Sequence, residues 1–97
     1  MYKTIEIKGK EYPVRVSYIV LKRVKEDTGK ALEQVTGNDF EVYESLLYYA
    51  LQQGAKAADK ADPGFQKKDM EEMLDACFFE FVKIIPDFFP EGMGAGR

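Results

Sequence analysis

The stretch TIEIKGKEYPVRV, residues 4–16, decides the fold class, because apolar and polar residues alternate on both sides of a central glycine. Alternation with a period of two is typical of strands that bury one face, and a glycine between two such runs marks a turn. Ile5 and Ile7 are expected on the inner face of the first strand. The inner residues of the second strand are Tyr12, Val14 and Val16. Residues 2–16 are therefore predicted to form a β-hairpin.

Pro13 sets the predicted register of this hairpin. With Ile7 opposite Tyr12, the loop has either two residues, 9 and 10, or four residues, 8 to 11. The shorter loop places Pro13 in a pair that exchanges backbone hydrogen bonds, and proline has no N–H to donate. We therefore expect the four-residue loop, with the second strand an edge at Pro13.

The first of three predicted helices spans residues 17–28. Ser17 can serve as its N-cap, and its inner face has helical spacing: Val20, Leu21, Val24 and Thr28. In the stretch KEDTGKAL, residues 25–32, Gly29 predicts the end of the helix. Helices commonly end in a left-handed residue, and glycine adopts that conformation without steric cost.

The second predicted helix spans residues 39–56 and follows Asn38, which with Glu41 makes a capping pair. Its expected inner stripe consists of Phe40, Tyr43, Leu47, Ala50, Leu51 and Gly54. Tyr48 falls on the opposite face, so some aromatic surface is expected to stay exposed. The segment that follows, residues 57–65, is small, charged and interrupted by a Pro-Gly pair, which predicts the most mobile loop of the chain.

The third predicted helix begins at residue 67 or 69 and ends at residue 85. Its apolar stripe is the clearest in the chain and consists of Met70, Met73, Leu74, Cys77, Phe78, Phe81 and Ile85. Phe79, Val82 and Ile84 lie off this stripe, so the C-terminal half of the helix is apolar most of the way round. Such a helix is buried on more than one side, and in a domain this small the second side could face a partner.

These segments together predict a single α+β domain over residues 1–90, an N-terminal β-hairpin packed on a bundle of three α-helices, with a flexible tail at residues 91–97. The 97 residues, 45% of them hydrophobic, allow one packed core. No apolar run approaches the ~18 residues that a membrane span needs. The N-terminus lacks the apolar segment of a signal peptide, and we expect a cytoplasmic protein.

The composition argues against an enzyme. The chain has no histidine, which excludes His-based acid–base catalysis, His-assisted nucleophiles and the usual zinc sites. The single cysteine, Cys77, lies on an apolar stripe without a cation to favour its thiolate, so a buried structural role is expected. We predict no catalytic, cofactor-binding or metal-binding residues.

Four acids crowd the start of the third helix: Asp69, Glu71, Glu72 and Asp75. Paired carboxylates can serve as acid and base or hold a divalent cation, but both uses need further groups that converge from elsewhere. Asp69 and Glu72 instead fit a capping pair, and the helix dipole favours negative charge in a first turn. The acids are therefore interpreted as the cap of this helix.

The net charge of −3 is unevenly distributed along the chain. Residues 1–30 carry eight Lys or Arg and four acids, a net charge of +4, whereas residues 31–97 carry six and thirteen, a net charge of −7. Opposite ends could attract copies of the chain head to tail, or both could be ordinary solvated surfaces. An acidic chain without clustered arginine is a poor candidate for nucleic-acid binding.

Five phenylalanines fall within twelve positions near the C-terminus: Phe78, Phe79, Phe81, Phe88 and Phe89. They could close the core over the hairpin, or part of the set could form an exposed binding patch, because Phe88 and Phe89 lie in a proline-bounded segment that need not pack inward. The residues expected to contact a partner are Phe79, Val82, Phe88, Phe89 and Tyr48.

Several motifs resemble those of the tail assembly chaperones of long-tailed bacteriophages. They are KGKEYPV at residues 8–14, KEDTGKAL at 25–32, LLYYALQQGAK at 46–56 and MEEMLD at 70–75. The resemblance covers most of the chain, to about residue 85. It implies a small non-enzymatic protein that binds the long tape-measure protein, keeps it soluble and helps to recruit tail-tube subunits. It also implies a location in the cytoplasm of the infected or lysogenic host and absence from the mature virion.

A coating role agrees with the composition. A tape-measure protein is expected to be long, helical and apolar along one stripe. Many copies of a self-associating protein with an apolar groove and an acidic exterior would help to keep it soluble. Two alternatives stay open: a phage structural or head–tail connector component that is retained in the virion, and a small bacterial protein–protein adaptor.

Overall fold

A β-hairpin followed by three α-helices makes up the part of the chain that the computed structural model describes, residues 2–31, 34 and 38–88. The elements are β1 (Lys3–Ile7), β2 (Lys10–Val14), α1 (Tyr18–Thr28), α2 (Phe40–Ala57) and α3 (Met70–Ile84), and short 3₁₀ turns flank α3 at Lys67–Asp69 and Ile85–Phe88. The predicted α+β fold is confirmed. The tail expected to be flexible, residues 91–97, lies outside the described residues.

The hairpin has a tighter turn than the sequence analysis predicted. Ile7 pairs with Lys10, so the loop consists of Lys8 and Gly9 alone. Both loop residues have positive φ, 53° and 82°. Two consecutive positive φ values are typical of a type I′ turn, which matches the right-handed twist of the flanking strands. The predicted four-residue loop, with Ile7 opposite Tyr12, is therefore wrong.

Pro13 is accommodated in this register without a missing hydrogen bond. It lies opposite Thr4, one pair beyond the hydrogen-bonded pair of Ile5 with Tyr12, so its backbone groups point away from β1. The shift from the predicted pairing is two residues, which keeps the same face inward because strand side chains alternate with a period of two. The predicted inner face is accordingly observed: Ile5, Ile7, Val14 and Val16 are buried, and Tyr12 is half-buried.

Helix α2 lies at the centre of the molecule and contacts α1, β2 and α3. The outer edge of β2 packs directly on it, and the Arg15 N–H donates a hydrogen bond of 3.0 Å to the Ala50 carbonyl. Gly54 permits this approach, because a Cβ at that position would lie 2.2 Å from the Pro13 carbonyl oxygen. A buried glycine in the helix thus sets how closely the hairpin and α2 can pack.

Because three elements surround α2, it is buried on more sides than the predicted stripe. Leu47, Ala50, Leu51 and Gly54 are buried as expected. Four further residues are buried as well: Val42, Ser45, Leu46 and Ala55. Phe40 was predicted to face inward, and this is wrong: it is the first residue of the helix, beyond the edge of the core, and its side chain is 64% exposed.

Two helix ends differ from the predicted caps. Asp39, not Asn38, precedes α2, and its carboxylate pairs with the Lys30 ammonium across the connection from α1. Before α3, the Gln66 N–H donates 2.8 Å to a carboxylate oxygen of Asp69, so Asp69 acts one turn earlier than in the predicted pair with Glu72. A 3₁₀ turn at Lys67–Asp69 precedes α3, so the cap formed by Gln66 and Asp69 lies at the start of this turn and not at the start of α3.

The end of α1 and the stripe of α3 match the predictions. Gly29 has a φ of 79°, and its N–H donates 2.8 Å to the Lys25 carbonyl, as a left-handed C-cap requires. The stripe of α3 is buried at Met70, Met73, Leu74, Cys77 and Phe81, and half-buried at Phe78 and Ile85. The core therefore lies between the hairpin and the inner faces of α1, α2 and α3.

Candidate partner-binding surface

Phe79 is the most exposed large apolar side chain among the described residues, at 83%. It lies on α3 on the side away from the buried stripe, and Val82, one turn further along, is half-buried. Residues three apart are neighbours on a helix surface. Two of the predicted contact residues therefore form one apolar strip on α3.

This strip continues across to α2 through edge-to-face ring contacts. The Phe79 and Phe78 ring centroids are 5.4 Å apart, and the Phe78 and Tyr43 centroids are 5.1 Å apart. Exposed Phe40 lies three residues before Tyr43 on the same helix. We call the set Phe40, Tyr43, Phe78, Phe79 and Val82 the aromatic surface.

The composition of the aromatic surface makes it suited to protein binding. Half-buried Tyr43 and Phe78 anchor it to the core, while Phe40 and Phe79 project into solvent. Removing one such side chain from water stabilises a complex by about 1.5–3 kcal/mol before the costs of association. The exposure of Phe40 could not be predicted from the sequence, since periodicity identifies the inner face of a helix but not where the core beneath it ends.

Tyr48 belongs to a different cluster. It is half-buried, its ring centroid is 5.0 Å from that of Tyr49, and the Lys67 ammonium lies 5.7 Å and 5.4 Å from the two ring centroids. The same ammonium pairs with the Asp27 carboxylate. Tyr48 thus takes part in a contact that joins α1, α2 and the start of α3.

The predicted contact residue Phe88 is half-buried and packs against the core. It ends the 3₁₀ turn after α3, whose Asp87 carboxylate lies 3.6 Å from the Lys3 ammonium on β1. The prediction for Phe89 falls outside the described residues. Of the four predicted contact residues that the structure describes, Phe79 is exposed and Tyr48, Val82 and Phe88 are half-buried.

An acidic cleft of about 470 Å³ adjoins the N-terminal part of α2. Its lining consists of Asp27, Thr28, Glu41, Glu44, Ser45 and Lys67. This cleft could not be predicted from the sequence, because its carboxylates come from two helices whose packing brings them together. No spacing along the chain signals such a site.

The charges in the acidic cleft are only partly balanced. The hydrogen bond from Lys67 lowers the pKa of Asp27. Burial raises this pKa by a smaller amount, and the nearby Ser45 hydroxyl lowers it further. Burial disfavours the Lys67 ammonium, but its contacts with Asp27 and Tyr49 outweigh that effect and raise its pKa. Glu41 and Glu44 make no ion pair with any described residue, so the cleft retains negative charge.

Cys77 is held as a protonated thiol. Burial, together with the negative charge of Glu80, raises its pKa to about 11. A thiol with that pKa is a poor nucleophile at neutral pH. Within residues 2–31, 34 and 38–88, no group of three or more acids or cysteines is placed to hold a metal ion, and no helix is long and apolar enough to cross a membrane.

Comparisons of the chain with protein-family models, with curated proteins and with solved structures found no match.

Proposed function

We propose that this protein is a phage tail assembly chaperone that binds the tape-measure protein through the aromatic surface. The observation that carries the proposal is the exposure of Phe79 and Phe40 beside two anchored aromatic rings. The four motifs that resemble tail assembly chaperones supply the choice of partner.

An exposed aromatic surface on two packed helices favours a helical partner. Large aromatic side chains dominate the energy of protein interfaces, and apolar grooves between helices bind the apolar face of an amphipathic helix. A tape-measure protein, long and helical with an apolar stripe, offers such a face many times along its length. Repeated weak sites along one chain give high overall affinity.

The charge of the chain suits a solubilising role. Residues 31–97, which contain the whole aromatic surface, carry a net charge of −7. Covering an apolar stripe with acidic molecules replaces an aggregation-prone surface with a negatively charged one. Coated partner molecules then repel one another. The proposal includes self-association of the bound copies, contact with tail-tube subunits, action in the host cytoplasm and absence from mature particles.

Co-expression tests the proposed function. The proposal places a gene for a long helical tape-measure protein just downstream of the gene for this chain. The chain should keep that protein soluble and co-purify with it, and Phe79→Ser combined with Phe40→Ser should abolish both effects. Tyr18→Ser is the matched control, because Tyr18 is 77% exposed on α1 outside the aromatic surface.

Aggregation of the long protein in the presence of the wild-type chain would contradict the proposal. So would capture that survives the double substitution. Presence of the chain in purified virions would instead favour a structural component of the particle.

A further inference from the structure

The aromatic surface and the acidic cleft meet at the first turns of α2. Phe40 belongs to the aromatic surface, and Glu41, the next residue, lines the cleft. Glu44 lies four residues after Phe40, so their Cβ atoms are about 5–6 Å apart on the same side of the helix. A group that covers Phe40 is therefore brought beside the carboxylates of the cleft.

The cleft is complementary to a positively charged donor group. Three carboxylates line it, from Asp27, Glu41 and Glu44, whereas Lys67 is the one cation in the lining. That cation is already paired with Asp27. Buried Ser45 Oγ also lacks a hydrogen-bond partner of ordinary geometry among the described residues, although it lies near Asp27. The lining thus holds more acceptors than donors.

We propose that the acidic cleft receives an arginine side chain from the same partner helix whose apolar stripe covers the aromatic surface. This inference rests on the proposed function, because it assigns the charge pattern of the partner bound there. A planar guanidinium can bond two carboxylates at once, which a single ammonium cannot do with the same geometry. The cleft volume of about 470 Å³ accommodates a guanidinium and part of its stem.

Other occupants fit the cleft less well. The described residues contain no group arranged to hold a metal ion. A phosphate or an acidic segment would meet the carboxylates of Glu41 and Glu44, which make no ion pair with a described residue, although the Lys30 ammonium attracts Glu41 from a greater distance. The partner segment is therefore an amphipathic helix with arginine next to its apolar stripe, and an acidic flank at that position would weaken binding.

Two synthetic helical peptides of about 20 residues test this inference. Both carry the same leucine stripe. One has arginine beside the stripe, and the other has citrulline, a neutral side chain of nearly the same shape. Fluorescence anisotropy measures the Kd of each peptide for the wild-type chain and for Glu44→Gln. Glu11→Gln on the hairpin is the control, because it removes the same charge from an exposed position outside the cleft.

For the wild-type chain, the arginine peptide should bind about tenfold more tightly than the citrulline peptide. Glu44→Gln should remove most of that difference, whereas Glu11→Gln should preserve it. Thermal melting of each variant verifies that it is folded. Raising the salt concentration should weaken the arginine peptide more than the citrulline peptide.

Equal affinities of the two peptides for the wild-type chain would overturn the inference, as would a preference for arginine that Glu44→Gln leaves unchanged. The proposed function is judged separately with Phe79→Ser. If both peptides bind equally and lose affinity in this variant, the aromatic surface stands and the arginine site fails. If neither peptide binds the wild-type chain, both proposals are contradicted.

Discussion

Gly54 is the single residue at which the packing of this domain leaves the least room. A Cβ there would lie 2.2 Å from the Pro13 carbonyl oxygen and 2.4 Å from the Val14 Cα. These are backbone atoms of β2, so they cannot move aside as a flexible side chain could. The hairpin and α2 fit together because this position has no side chain.

Gly54→Ala should destabilise the protein by about 2 kcal/mol, the scale of an overpacked core. The sign is opposite to the usual effect in a helix interior, where alanine is favoured over glycine by about 1 kcal/mol. Denaturant unfolding measures the change, and Gln53→Ala, the adjacent half-buried position, should change stability far less. A stabilised Gly54→Ala protein would show that the hairpin does not lie so close to α2.

Phe79 and Phe81 lie two residues apart on α3, but truncation should destabilise the protein much more at Phe81 than at Phe79. Phe81→Ala should cost about 3–5 kcal/mol because its side chain is fully buried. Phe79→Ala should change the free energy of unfolding by less than about 0.5 kcal/mol, since the side chain is mostly exposed. Urea unfolding of the two variants provides the test, and an equally large loss in Phe79→Ala would mean that Phe79 is a packing residue.

The ends and inner faces of the helices could be predicted well where a local rule decides them. Gly29 ends α1 because the chain there needs a left-handed backbone conformation, which glycine adopts without strain. The stripe of α3 follows helical periodicity. The turn of the hairpin was missed because Lys8 adopts positive φ without the Asn-Gly or Asp-Gly pair that usually marks a type I′ turn. Exposure of Phe40 and the acidic cleft depend on contacts between elements, which spacing along the chain does not encode.

The ion pair of Asp27 with Lys67 joins α1 to the start of α3, and it should make stability depend on pH. Because the pKa of Asp27 is lowered in the folded chain, the stabilisation from its carboxylate is fully present at pH values above the ordinary pKa of 3.8. This stabilisation is lost as the pH falls through the folded-state pKa. Because the pKa of Lys67 is raised in the folded chain, the stabilisation from its ammonium is fully present at pH values below the ordinary pKa of 10.5. This stabilisation is lost as the pH rises through the folded-state pKa. The pair therefore stabilises the fold between these limits.

Asp27→Asn should lower stability at pH 7 by less than about 1 kcal/mol, because the pair is partly exposed to solvent and screened. At pH 3, below the ordinary Asp pKa of 3.8, the difference from the wild-type chain should shrink, since the unfolded chain then binds a proton at Asp27 that the folded chain binds less readily. Urea midpoints of both proteins at the two pH values give the comparison. A difference of the same size at both values would show that the ion pair does not contribute through its charge.

At the scale of the whole molecule, α2 joins the core to the aromatic surface and the acidic cleft. Its buried sides hold β2, α1 and α3 in place. Its first turns contribute Phe40 and Tyr43 to the aromatic surface, and Glu41 and Glu44 to the acidic cleft. A partner that docks there contacts side chains carried by a helix that the core holds in place, so little backbone entropy is lost on the side of this protein.

The most direct test of the central claim is to replace Phe79 by a photocrosslinking amino acid and identify what it captures in cells that also make the proposed partner, a long tape-measure protein. The account predicts crosslinks from position 79 to helical segments of that protein, and few or none from the same crosslinker at exposed position 18 on α1. Failure of position 79 to capture the long protein, or equal capture from both positions, would contradict the claim that the aromatic surface is the binding site.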